Sequence, residues 1–152
     1  MDAFKKHIDK KDLMLVLRSS IFMSITGGLI IGAVDLVFVY FSGLTFTWLF
    51  LLILAHLIAK RVSQSYQSYH ICFSLISMFF FLFSYYLMNV TMMTGFFFIN
   101  DALELEVIKY FLNPLPYFRF LNPFSSGFFQ TENILDVVFF AVSIVYSYRF
   151  SK

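Results

Sequence analysis

The stretch SITGGLIIGAVDLVFVYF, Ser24–Phe41, decides how this chain is read. It is apolar enough to cross a bilayer, yet it carries a carboxylate, Asp35, with Gly28 and Gly32 ahead of it. On an α-helix, Ser20, Ser24, Gly28, Gly32 and Asp35 follow one another at spacings of four, four, four and three, and so share one face. Lipid offers no hydrophobic attraction between helices, so association there depends on close packing, which small residues at this spacing permit. The expectation is a helix-contact stripe that meets protein, closed by an acid on the same line. An ionised acid turned to lipid costs roughly 2.5–3.5 kcal/mol even on a lenient scale. Asp35 is therefore expected to find a polar partner, water or a proton.

The rest of the chain agrees with a membrane setting. Of 152 residues, 60% are hydrophobic and only 13% charged, too little polar surface for a soluble domain of this length. Mean hydropathy is +0.80, and the apolar runs reach bilayer length. The net charge of +2 gives no electrostatic footprint for nucleic acid. A single cysteine, Cys72, excludes an internal disulfide or a CxxC pair. The first apolar run is too long for a cleavable leader and is expected to stay as a span.

Four spans are expected, at about 20–41, 47–59, 69–92 and 134–148, with a turn at SGLTF, Ser42–Phe46. The second and fourth are short for a crossing and must borrow flanking residues or sit in thinned lipid. Residues 1–19 read as a basic tail and 20–152 as one membrane domain. Nine of the eleven Lys and Arg fall on one side of such a four-span arrangement: Lys5, Lys6, Lys10, Lys11, Arg18, Lys60, Arg61, Arg149 and Lys152. Only Lys109 and Arg119 fall on the other, so the positive-inside rule puts both termini in the cytoplasm. The fold class is thus an all-α, four-transmembrane-helix bundle, N-in and C-in. Residues 100–133 form a long outer segment, in which DALELEVIKYFL predicts a short helix and three Pro residues stop it. Its Tyr and Phe suit the headgroup layer or a return into the bundle.

Counting from the turn at Gly43, Asp35 is eight residues deep and His56 thirteen, a difference of roughly 7–8 Å, which makes a direct bond between them unexpected. Ser84, Tyr85 and Tyr86 of the third span and Ser143 of the fourth come to the depth of Asp35 by the same count, and form the expected polar clasp or ion site. His56 is a weak candidate, with Ser24, Ser74 and Tyr146 at its level. His7 and His70 lie outside the core and carry no signal. Met88, Met92 and Met93 read as filler at a helix end, not as a metal site.

No HExxH, GxSxG or phosphate-binding Gly-rich loop is present. Two acids, Asp35 and Asp136, bring to mind the paired aspartates of an intramembrane aspartyl enzyme. But GAVD lacks the second glycine of GxGD, and Asp136 counts about 6–9 Å shallower. No catalytic residue, cofactor or metal is expected. The functional expectation is a non-enzymatic helix-packing or accessory subunit of a membrane complex or homo-oligomer, its partners being the lipid bilayer and other membrane subunits. The alternative is a small oligomeric transporter of an ion, proton or small solute, using Asp35.

Two stretches resemble a known group. GGLIIGAVDLVFVYFSGLTFTW resembles the first hairpin of a family of small bacterial four-helix multi-pass membrane proteins of unknown function. ILDVVFFAVSIVYSYRF resembles their last span, through Asp136, Phe139, Phe140, Ala141, Tyr148 and Arg149. An acid at position 35 departs from the apolar residue or Trp usual there. The resemblance implies a four-helix protein of the bacterial cytoplasmic membrane, and no activity.

Overall fold

A computed structural model describes residues 9–43, 45–101, 105–124 and 129–152. The described chain is all-helical: α1 (Lys10–Ser42), α2 (Thr47–Ser63), α3 (Ile71–Ile99), α4 (Leu105–Phe111), a 3₁₀ helix (Leu115–Leu121) and α5 (Thr131–Phe150). Three helices, α1, α3 and α5, are long and apolar enough to cross a membrane. The fourth expected span, α2, has 17 residues, about 25 Å against a hydrocarbon core of about 30 Å.

The first helix begins at Lys10, ten residues before the expected start of the span. Asp9 caps it, accepting the amide of Lys11 at 2.8 Å. Residues 10–19, expected as tail, are therefore the first turns of α1; residues 1–8 of that tail, with Lys5, Lys6 and His7, lie outside the described residues. Asp12 on this extension is buried and accepts the amides of Gln67 and Ser68, at 3.1 and 3.5 Å. That contact ties the start of α1 to the loop between α2 and α3. At its other end α1 stops at Gly43, whose φ of 66° is a left-handed conformation that suits glycine and returns its N–H to Val39.

The helices pair as α1 on α3 and α2 on α5, the two most extensive contacts in the bundle. Each pair runs parallel. In the first, Gly28 lies against Ser84 and Gly32 against Met88. In the second, Trp48 meets Phe139 and His56 meets Tyr146. Between the pairs sits a core of Leu51, Leu54, Ile58, Phe73, Phe81 and Met88, all about 1% exposed or less.

The outer segment folds back onto the bundle. Phe118 and Phe120 of the 3₁₀ helix pack with Tyr85 and Phe140 at centroid distances of 5.3–6.2 Å. Tyr85 and Tyr86 donate to the carbonyls of Tyr117 and Leu112, at 3.2 and 2.8 Å. Burial, and then the neighbouring Tyr86 and Tyr110, push the Tyr117 phenol up to about 12, so it stays protonated and donates to the Phe111 carbonyl at 3.0 Å. The predicted short helix is found as α4; residues 102–104 and 125–128 of the segment lie outside the described residues.

Candidate functional site

The face of α1 that carries Ser20, Ser24, Gly28, Gly32 and Asp35 is buried along its whole length. What covers it from Ser24 to Gly32 is α3. A Cβ added at Gly28 would stand 2.8 Å from the Ser84 carbonyl oxygen and 2.9 Å from Leu87 Cβ. One added at Gly32 would collide with the Met88 carbonyl and stand 2.9 Å from Thr91 Cβ. Here only glycine lets the two backbones approach. Ser84 Oγ uses that closeness to donate to the Ser24 carbonyl at 2.9 Å, a helix-to-helix bond inside the seam. One turn beyond, the relation reverses: Gly95 of α3 makes room for Leu36 of α1.

Asp35 ends this stripe at 1% exposure. The groups that act on it are the backbone amide of Phe46 and the hydroxyl of Thr47, at the start of α2, together with Asp136 of α5. Phe46 and Thr47 lie close by, but neither meets the geometry of a hydrogen bond, and both carboxyl oxygens are buried without a partner among the described residues. The start of α2 has no side-chain cap of its own, since Phe46 stands at the capping position. Its first amides are the unsatisfied donors of a helix N-terminus, and they carry the positive end of the helix dipole. An acid facing that end is favoured electrostatically, which offsets part of the cost of burying it.

The expected clasp of Asp35 with Ser84, Tyr85, Tyr86 and Ser143 is not formed. Ser84 bonds Ser24, Tyr85 and Tyr86 bond the outer segment, and the Ser143 hydroxyl is buried with no partner among the described residues. The reason is register. Counting depth from the apolar boundaries set Ser84 level with Asp35, but Asp12 anchors α1 to residues 67 and 68 and draws α1 outward relative to α3 by about two turns. Ser84 thus comes level with Ser24 and Gly28, and Asp35 lies beyond Thr91.

The same depth count misplaced Asp136. The start of α2, at Phe46 and Thr47, lies beside Asp35 and not beyond the end of α1. Since α5 runs in parallel register with α2, Asp136 lies about one turn outward of Phe139, beside that start. Shared-proton chemistry needs the two carboxyl groups in contact. Asp35 makes no such bond. Asp136 has interactions of its own and is not a free acid.

His56 lies on the outward side of the α2–α5 pair, exposed in the single chain, with Nδ1 2.8 Å from the Tyr146 hydroxyl. Of the three groups expected at its level, Tyr146 is the one it bonds. Ser20 Oγ is buried without a partner among the described residues, and Ser24 Oγ turns back to the Ile21 carbonyl at 3.0 Å. Among the described residues no group of three or more His, Cys, Asp or Glu could hold a metal ion.

Two features went unread in the sequence. Ser143 and Ser147 of α5 and Ser151 at its C-terminal cap form a second stripe at spacing four, each 0% exposed, and Ser147 pairs with Ser77 of α3 at 2.8 Å. The spacing rule applied to α1 would have found it. His70, expected to carry no signal, is buried and caps α3 by accepting the Cys72 amide at 3.1 Å. Histidine is not among the favoured capping residues, so composition could not announce it. Compared with family models, with curated proteins and with solved structures, the chain matches none.

Proposed function

We propose that this chain is a four-span protein of the bacterial cytoplasmic membrane, with both termini in the cytoplasm. It acts as a non-enzymatic packing or accessory subunit of a membrane complex or homo-oligomer. Asp35 carries this reading. It is sealed at 1% exposure beside the start of α2, inside the first hairpin, with no opening to water. The orientation is supported by the grouping of Lys10, Lys11, Arg18, Lys60, Arg61, Arg149 and Lys152 at one end of the bundle. The α1 stripe is closed by α3, so a partner meets the outward faces of α1 and α5, where Ile30, Val37, Val138 and Val145 are each half exposed or more. Cross-linking in native membranes followed by mild extraction tests this. The expected product is an assembly larger than one chain, with cross-links on those faces; a lone chain at every cross-linker concentration overturns the reading.

One observation favours a second reading, transport of a cation or proton through Asp35. Both of its oxygens lie buried without a partner among the described residues, and Asp136 of α5 is near. Proteoliposomes containing the wild-type chain and Asp35→Asn distinguish the two. Flux that depends on the acid establishes transport, and equal leak in both removes it.

A further inference from the structure

We propose that the basic end of the bundle holds a specific site for one anionic phospholipid, between α1 and the end of α2. A cavity of about 510 Å³ opens there, lined by Arg18, Ser19 and Phe22 on α1 and by Arg61, Gln64 and Ser65 at the end of α2. That volume is in the range of small-ligand pockets. Both arginines are exposed, and none of the described residues lining the cavity is acidic. Two arginines lining one space, with a carboxamide and hydroxyls beside them, suit a phosphate.

The frame of the site is fixed by side chains. Ser19 and Ser65 share a hydrogen bond of 2.6 Å across the two helices, and Ser65 Oγ lies 2.7 Å from the Arg61 carbonyl as donor. These bonds hold the end of α2 against α1 and set the two arginines on either side of the opening.

A free anion would need nothing more, but the structure continues the site in apolar form. From the same Arg18 and Phe22, a second cavity of about 590 Å³ runs along α1 over Leu17, Ile21 and Ile25. Apart from Arg18 and Thr26 its lining is apolar, and it follows one face of α1 from Met14 to Thr26. A charged receptor that shares Arg18 and Phe22 with an open apolar groove matches a phospholipid, whose phosphate and acyl chain are joined. Its depth fits as well. Arg18 lies about two turns into α1, after Lys10, Lys11 and Asp12 and a short apolar run, and Arg61 lies in the last turn of α2. Both stand where the headgroup layer of a cytoplasmic leaflet lies, and that leaflet carries the anionic lipid.

The proposal rests on the reading of this end as the cytoplasmic one at the headgroup layer, and its test separates the two. The purified full chain is reconstituted in vesicles of phosphatidylcholine containing a small fraction of phosphatidylglycerol, and lipid retained on re-extraction is identified by mass spectrometry. The wild type is expected to retain phosphatidylglycerol in preference. The preference falls about fivefold in Arg18→Gln or Arg61→Gln and further in the pair. Arg149→Gln, at the same end but outside the cavity, leaves it unchanged. If Arg149→Gln lowers the preference equally, or the pair of changes leaves it intact, the site is overturned. If inorganic phosphate at matched concentration displaces the lipid fully, the site takes a free anion, and the proposal fails. Should the arginine variants not fold, a photoreactive phosphatidylglycerol on the wild type decides. Cross-links within 15–26 and 61–65 support the site; cross-links elsewhere refute it. A wild type that never enters vesicles would instead overturn the membrane reading itself.

Discussion

The two helix pairs of this bundle solve one problem by opposite means. The α1–α3 seam is closed by removing side chains. Gly28 and Gly32 bring backbones together, and Ser84 bonds across the gap to a main-chain carbonyl. The α2–α5 seam is closed by adding them. Trp48 packs on Phe139 at 5.1 Å and Tyr146, stacked on Phe150 of its own helix, bonds His56; on the neighbouring face of α5, Phe140 gathers Phe81 and Tyr85 of α3 and Phe118 and Phe120 of the 3₁₀ helix around it. In lipid both routes work, because contact area and hydrogen bonds, not escape from water, hold helices together. They differ in what they tolerate. A seam of backbones has no flexible atoms to yield, whereas a seam of rings can shift its rotamers.

The contrast is broken most severely at Gly32. Gly32→Leu drives a side chain into the Met88 carbonyl, and the loss expected is about 3 kcal/mol or more. Thermal unfolding in detergent should show little folded protein, and a fully stable variant would mean that α1 and α3 can separate freely. Next comes Phe140→Ala, which empties the centre of the aromatic cluster at a cost of about 3 kcal/mol. Unlike the glycine change, it should leave the α1–α3 seam folded and free the outer segment, read as faster proteolysis within residues 112–124. Ser84→Ala removes the bond to Ser24 without adding bulk. About 0.6 kcal/mol is expected, since such bonds in membranes are weak on average. The smallest effect is expected of Tyr146→Phe. It loses the His56 bond but keeps the stack on Phe150, so a fall of about 0.5 kcal/mol or less should appear in the same assay. A larger loss there than at Ser84 would show that the ring seam also depends on its polar bond.

The same contrast explains what could be read from the sequence. The all-helical class, the turn at Gly43 and the buried line from Ser20 to Asp35 follow from apolar runs, one left-handed glycine and a spacing rule. Depth did not follow. An apolar helix carries no mark of its level except its charges, and α1 runs past its apolar part as far as Lys10, so that Asp12 and not Ser20 sets its register against α3. From that one shift come the separate fates of Ser84, Tyr85 and Tyr86. The start of α2 was equally hidden, since nothing local in GLTFT says that its helix begins beside Asp35. Where Phe118 and Phe120 go depends on Tyr85 and Phe140, which are distant in sequence, so their aromatic content said only that they would be covered.

Asp35 joins the two seams, since it stands on the stripe of α1 and faces the start of α2, and its substitution tests the structural reading most directly. Thermal stability and ion flux should be measured together for Asp35→Asn and Asp35→Leu. Beside the positive end of a helix Asn keeps a polar group where Asp stood, while an apolar residue loses that interaction at about 1–2 kcal/mol. The expected result is a stability near wild type for Asp35→Asn, a loss of about 1–2 kcal/mol for Asp35→Leu, and no change in flux for either. Full stability in both variants, with an ion flux present in the wild type and lost in Asp35→Asn, would contradict it.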